Sequence, residues 1–369
     1  MTSASSSDPA RISPTAPAVT AEGEAFPSAP QRLRYVTVAA PAPGASVEIA
    51  PGVRWARIPL PMELNHINVW LVASGDGCVI VDTGMAVQMG KDAWQAIERE
   101  TFATQPVRAV FVTHIHPDHS GLAAWLQERY RVPVLMSAST HDMLRQIASA
   151  EDRPSPRRVE EFFRSHGLTD VSHVQPLFNP ERFGRISSGL PQVERFIGDG
   201  DTLQWSGAQW TAVRTDGHAH GHLCLSNAAA RVLISGDQVL PSISSNISYG
   251  FHVPDANPLR SYLESLQRLR GLATETLVLP SHGVPFHGLQ QRIDDLTTHH
   301  QEQLVRIEQL CREPKTAAQV LPSMFRRELK GMHLFLALGE ALAHLEYLVH
   351  AGRLRRSEAD GVVRYSPPQ

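Results

Sequence analysis

Five apolar runs of β character each lead into a histidine or an aspartate, with glycine or proline close by. Val79-Ile-Val leads to Asp82, Val110-Phe-Val-Thr to His114 and Trp210-Thr-Ala-Val-Arg towards His218. Val232-Leu-Ile-Ser-Gly leads to Asp237, and Thr276-Leu-Val-Leu-Pro-Ser to His282. Short runs rich in β-branched and aromatic residues, closed by turn formers, read as buried strands. Polar side chains gathered at strand ends along one edge of a sheet are a common way to build an active site.

The second run continues into His114-Ile-His116-Pro-Asp118-His119, three imidazoles and a carboxylate within six residues. In extended chain, residues two apart point the same way, so His114 and His116 can converge on one cation. Asp118 and His119 fall where the chain turns into the helical pattern after Ser120, and can face a second cation close by. Neutral imidazole with carboxylate suits zinc, iron or manganese better than magnesium or calcium. A solvated loop explains a lone histidine, but not this spacing repeated beside further ligand candidates.

Composition narrows the setting. At 369 residues and 42% hydrophobic content, the chain can bury a core and suggests about two domains. A net charge of −3 provides no global basic field for nucleic acid. Cys78, Cys224 and Cys311 form no CxxC pair, which fits a reducing, cytoplasmic setting. No basic segment followed by an apolar one opens the chain, and no run long enough to span a bilayer is expected.

Residues 1–45 are rich in Ser, Ala, Pro and Thr and read as a disordered tail. A β-rich body follows over 46–290, with Ser74-Gly-Asp-Gly as a hairpin turn and helices at 86–101 and 120–130. Residues 140–190 break the strand rhythm with two amphipathic helical patterns, and read as an insertion able to overhang the site as a lid. Helices are expected at 258–272 and at 289–312, the latter connecting to a last unit at 313–369. There a short helix, a long one over 334–351 closed by Gly352, and a terminal hairpin are expected.

The ligand-rich stretches together resemble the metallo-β-lactamase superfamily over residues 46–290. The resemblance implies an α/β (α+β) fold, an αββα sandwich. His114, His116 and His218 would bind a first metal; Asp118, His119 and His282 would bind a second; Asp237 would bridge both. Asp82 would orient a ligand from behind. In the third motif Ala219 stands where Thr or Ser is usual, and His220 and His222 crowd the neighbourhood, His222 on the next strand. Residues 313–369 resemble a winged-helix module found in one branch of the superfamily.

The chemistry implied is hydrolysis by a hydroxide held between two divalent ions, zinc first, with iron or manganese as alternatives. Asp118 would also move a proton to the leaving group. His66 and His287 are candidates for touching substrate, ahead of His252. Ser235 and Ser281 read as local backbone partners and not as nucleophiles. Gln238 follows Asp237 where lactonases of this fold often carry Tyr, and His116 separates the chain from flavodiiron types. A small-molecule ester or thioester, as in hydroxyacylglutathione hydrolases, is the first substrate reading. Single-strand endoribonuclease or other phosphodiesterase activity is the alternative, with Arg353, Arg355, Arg356 and Arg364 as phosphate contacts. Glu340, Glu346 and the scarcity of basic residues on the long helix count against nucleic acid. No membrane partner is expected, and a homodimer is compatible with the last unit.

Overall fold

The computed structural model describes residues 33–149, 155–172, 184–250 and 256–368. The first strand, β1 (Arg34–Tyr35), is an edge strand of the second of two large sheets. The first sheet runs in chain order: β2 (Ser46–Ala50), β3 (Val53–Pro59), β4 (His66–Ser74), β5 (Gly77–Val81), β6 (Val107–Phe111), β7 (Val134–Met136) and β8 (Val193–Phe196). The second contains β9 (Thr202–Trp205), β10 (Ala208–Thr215), β11 (His222–Asn227), β12 (Val232–Gly236), β13 (Leu277–Pro280) and β14 (Phe286–His287), in the order β1-β14-β13-β12-β11-β10-β9.

Facing Trp55, Trp70, Val81 and Phe111 of one sheet with Trp210, Leu223, Leu225 and Ile234 of the other makes an inter-sheet core. Two helical layers close the sandwich. On the first sheet lie α1 (Gln88–Ile97), which runs into a π-turn at Glu98–Phe102, the short α2 (Pro117–Ser120), α3 (Ala123–Tyr130) and α4 (Ala138–Ala148). On the second lie α5 (Pro156–Ser165), α6 (Pro258–Arg270) and α7 (Leu289–Leu310). This is the αββα sandwich expected. With both faces covered, β5 is buried along its whole length, as an inner strand of such a sandwich must be.

Strand direction positions the site. β5 and β6 pair parallel, and so do β12 and β13. β10 is antiparallel to β11, which is antiparallel to β12, so β10, β12 and β13 point the same way. The polar residues after these strands therefore come to one end of each sheet.

The last unit packs α8 (Ala317–Met324), α9 (Gly331–His350) and the hairpin β15 (Arg355–Ala359) and β16 (Val362–Ser366). It shares one continuous core with α5, α6 and α7: Phe163, Leu266, Leu296, Leu338, Leu345 and Tyr365 are all buried in it. The insertion helices thus anchor the fold. Leu144 of α4 enters the first helical core, and Val159 and Phe163 of α5 enter the shared one. Neither helix contributes to the His/Asp cluster described below.

One expectation changes. The tail reading of 1–45 does not hold for its end, because Arg34 and Tyr35 pair with His287 and Phe286 while Tyr35 and Val36 pack on apolar cores. Gly331–His350 is long and apolar enough to cross a membrane by length and composition, although Glu340 and Glu346 interrupt it and it holds no run of eighteen apolar residues. Since 67% of its apolar window is buried inside the fold, its composition is that of a core helix.

Candidate metal centre

After β6 the chain holds Val112 to Leu135 through a backbone bond, then leaves the sheet and turns at Pro117, the first residue of α2. Proline is favoured there because the missing N–H is unpaired in a first turn anyway. The loop after β5 clamps this turn: Thr83 N–H and Oγ1 both donate to His119 O, and Gly84 N–H donates to Asp118 O at 2.8 Å. Gly84 has φ +87, and a side chain there would strike Ile58 at 2.6 Å. Asp118 and His119 are thereby turned back over the ends of the strands.

Seven side chains gather in two groups, His114, His116, His218 and Asp237 in one and Asp118, His119 and His282 in the other. In the first, His114 Nε2 lies 2.9 Å from His116 Nδ1 and 3.2 Å from His218 Nε2. In the second, His282 Nε2 lies 3.2 Å from Asp118 Oδ2, and His119 Nε2 lies 3.5 Å from the same oxygen. Asp237 joins them. Its Oδ2 is 3.4 Å from His218 Nε2, and its Oδ1 is 3.4 Å from His119 Nε2 and 3.6 Å from His282 Nε2.

These spacings fit divalent cations. Ligands bound about 2.0–2.1 Å from a tetrahedral ion stand roughly 3.3 Å apart, close to the separations observed. His119 Nε2 and Asp237 Oδ1 are buried yet have no hydrogen-bond partner among the described residues. Buried polar atoms are normally paired, so these two orphans, aimed at a common point, fit a bound cation.

The opposite ring nitrogens are held. His119 Nδ1 donates to Asp82 Oδ2 at 2.8 Å, His282 Nδ1 to the carbonyl of His66 at 3.0 Å and His218 Nδ1 to that of Asn246 at 2.8 Å. His114 Nδ1 donates to Thr113 Oγ1 at 3.0 Å, and Thr113 Oγ1 in turn donates to Asp82 at 2.9 Å. These bonds put the protons on Nδ1 and leave the Nε2 lone pairs facing the centre. Asp82 takes φ +64, a conformation that Asp and Asn tolerate better than most residues.

Charge reinforces the division. Burial, with neighbouring imidazoles adding to it, keeps His114 far below its usual value and His116 down to about 3. Both are neutral and ready to ligate. Burial opposes ionisation of Asp118 and Asp237, but His119 and His282 outweigh it; Asp118 falls to about 2 and Asp237 far below the carboxylate range. In return, these carboxylates raise His119 and His282 against their burial. A cation would take the place of those protons.

The other flagged residues divide. His66 opens β4 beside the cluster and supplies the carbonyl that aims His282. His287 faces away from the His/Asp groups along its strand. Its Nδ1 bonds Glu275 O ahead of β13, whereas His282 follows the far end of that strand. His252 lies outside the described residues. His220 turns outward to Asp216 at 3.5 Å, lining a surface cavity of about 430 Å³ with Ser265 and Arg268. His222 supports the centre from beneath: Thr215 Oγ1 is 2.8 Å from its Nδ1, and its Nε2 accepts the Asp237 N–H at 3.3 Å. Ser235 Oγ bonds the carbonyl of Val239, the local role expected. The motifs did not point to Thr113, Ser245 or Asn246. Of these, Thr113 alone carried a signal, standing between a buried strand and the first ligand.

Residues 62–282 match the family model described as "Metallo-beta-lactamase superfamily". The chain belongs to the metallo-beta-lactamase superfamily. Residues 304–368 match the model of a metallo-beta-lactamase-like C-terminal domain. A crystal structure of a beta-lactamase domain protein from Burkholderia ambifaria superposes with a TM-score of 0.84 at 41% identity, covering 91% of this chain and 98% of that one. A probable metallo-hydrolase of Bacillus subtilis is 27% identical over 79% of this chain and 90% of its own length. A Bos taurus protein named acyl-coenzyme A thioesterase is 26% identical over 63% of this chain and 79% of its own length. The chain is a metallo-hydrolase of this superfamily.

Proposed function

We propose that the chain hydrolyses a small-molecule ester or thioester with two divalent cations, zinc, iron or manganese. The observation that carries this reading is Asp237, whose two carboxylate oxygens each face a different ligand group. Bound there, two cations supply Lewis-acid polarisation of the substrate carbonyl and a water acidified towards neutrality.

The residues supply the rest. His114, His116 and His218 would hold one cation, Asp118, His119 and His282 the other, with Asp237 between them. Asp118 is ionised at neutral pH and more exposed than the histidines that face it. Its carboxylate would take a proton from the attacking water and return it to the departing oxygen or sulfur. Burial, then Arg57 and His282, drives His66 down to about 3, so it meets substrate as a neutral imidazole. No nucleophilic serine or cysteine is needed; Cys78 and Cys224 are buried thiols pushed up to about 12.

The thioester reading is supported by the relative named acyl-coenzyme A thioesterase and by the near-neutral net charge. The winged-helix-like reading of the last unit fits its helix–helix–hairpin order, and we assign it a scaffolding role. Its long helix is largely buried, Arg353 is engaged by Glu308, and Arg355 Nε bonds Ser366 Oγ at 3.1 Å. Phosphate contact is thereby disfavoured.

The test is a panel of acyl-coenzyme A thioesters, aryl esters, a phosphodiester and single-stranded RNA offered to zinc- and manganese-loaded protein. Thioester or ester turnover at least tenfold above the phosphodiesters is expected. Salt-sensitive RNA cleavage outpacing thioester turnover would overturn the assignment.

A further inference from the structure

Four histidines of the centre have the nitrogen away from the cations held by a hydrogen bond. Three are aimed from within the sandwich, by Thr113, Asp82 and the carbonyl of His66. The fourth, His218, is aimed by the carbonyl of Asn246, in the loop that follows Asp237. That loop is fixed from outside the sandwich. Asn246 Nδ2 donates to Leu336 O at 3.4 Å and to Glu340 Oε2 at 3.3 Å, both on α9. Ser248 Oγ donates to Asn246 Oδ1 at 2.7 Å, and Tyr249 N–H donates to Gly339 O at 2.9 Å. Contact is so close at Gly339 that a Cβ there would meet Ser248 Oγ at 2.7 Å.

The start of the loop is fixed from α7 and α6. The buried Arg292 guanidinium donates to Leu240 O at 2.6 Å and Ile243 O at 2.8 Å, while Tyr262 Oη donates to Gln238 O at 3.1 Å. Ser245 Oγ closes the arrangement by donating to Asp237 O. One loop thus touches two members of the centre and is held at both ends by helices of the shared core.

We propose that the 238–250 loop is a positioning device through which α9 sets the aim of His218, with Asn246 and Glu340 as its positioning residues. This rests on reading His218 as a cation ligand. Groups that hold the far nitrogen of a ligating histidine fix its tautomer and direction, and losing them typically weakens metal binding about 10–100-fold. The C-terminal unit would then tune cation affinity without contributing a ligand.

Full-length protein and Co²⁺ provide the test, with affinity measured by chelator competition and coordination by the visible cobalt spectrum. Asn246→Ala and Glu340→Ala are expected to weaken Co²⁺ binding about tenfold and to alter the spectrum, at the lower end of the range for such partners. Glu340→Gln keeps an acceptor for the Asn246 amide and is expected to restore both readouts, which a merely structural role for α9 does not require. Unchanged affinity and spectrum in both alanine variants would overturn the proposal, provided that His218→Ala loses Co²⁺. If His218→Ala keeps its full Co²⁺ complement and spectrum, the ligand reading fails and the positioning role falls with it.

Discussion

Asp82→Asn isolates the tautomer argument with almost no change in shape. Asp82 is buried and accepts from Thr113 N–H at 2.8 Å, Thr113 Oγ1 at 2.9 Å and His119 Nδ1 at 2.8 Å. Asparagine can keep Oδ1 on the Thr113 N–H and tolerates φ +64 at least as well as aspartate. Its amide nitrogen, however, would face His119 Nδ1, donor against donor. The ring must then move its proton to Nε2, the atom 3.4 Å from Asp237 Oδ1, and a protonated nitrogen cannot ligate. The expected loss is about 10–100-fold in cation affinity at the Asp118–His119–His282 group, or roughly 1.4–2.7 kcal/mol. Zinc titration with chelator competition should show one tight and one weakened equivalent, alongside a fall in turnover. Two equivalents, both within about twofold of wild-type affinity, would refute the role given to Asp82.

Asp118→Asn should lower kcat by about 10²–10⁴-fold while the first cation stays bound; loss confined to KM would remove its proton-transfer role. Phe163→Ala should cost about 3–5 kcal/mol in urea denaturation, since Phe163 is fully buried in the core joining α5 to the last unit; a cost well under that range would contradict the shared core. Burial, with His299 adding to it, lowers His344 to about 4, below an unfolded value of about 6.5. The unfolded chain therefore binds more protons between those values, and stability must fall as pH drops through that window, by up to about 1.4 kcal/mol per pH unit for this group. Urea midpoints from pH 7.5 to 4.5 should decline less steeply in His344→Leu than in wild type; equal slopes would show that His344 does not titrate as described.

The members of the two His/Asp groups were legible because they follow strands at or a few residues beyond their ends, and strands announce themselves by local pattern. Helix α6 was legible for a similar reason: Pro258 and the Leu259–Tyr262–Leu266–Leu269 stripe specify a start and a buried face. The fate of His220 was not legible by spacing. Residues 218, 220 and 222 would share one face in extended chain, but Gly217 at φ +106 and Gly221 at φ +76 break the strand. His220 therefore swings outward while His218 and His222 stay with the centre. The direction of His287 was not legible either, because its proximity in sequence to His282 hides the reversal between β13 and β14. Asn246 had no signal at all. Its meaning comes from Glu340, 94 positions away, and no local periodicity encodes such a contact. The edge strand at Arg34–Tyr35 was hidden for the same reason, since its partners lie near the far end of the sandwich sequence.

The two-cation reading is tested most directly by equilibrium dialysis of the full-length chain against zinc, with bound metal counted per chain in wild type and in Asp237→Ala. Two tight equivalents in wild type, falling to one or none in the variant, are expected from a carboxylate that faces both ligand groups. A wild-type chain that binds no zinc tightly, or a variant that still binds two equivalents as tightly, would contradict it.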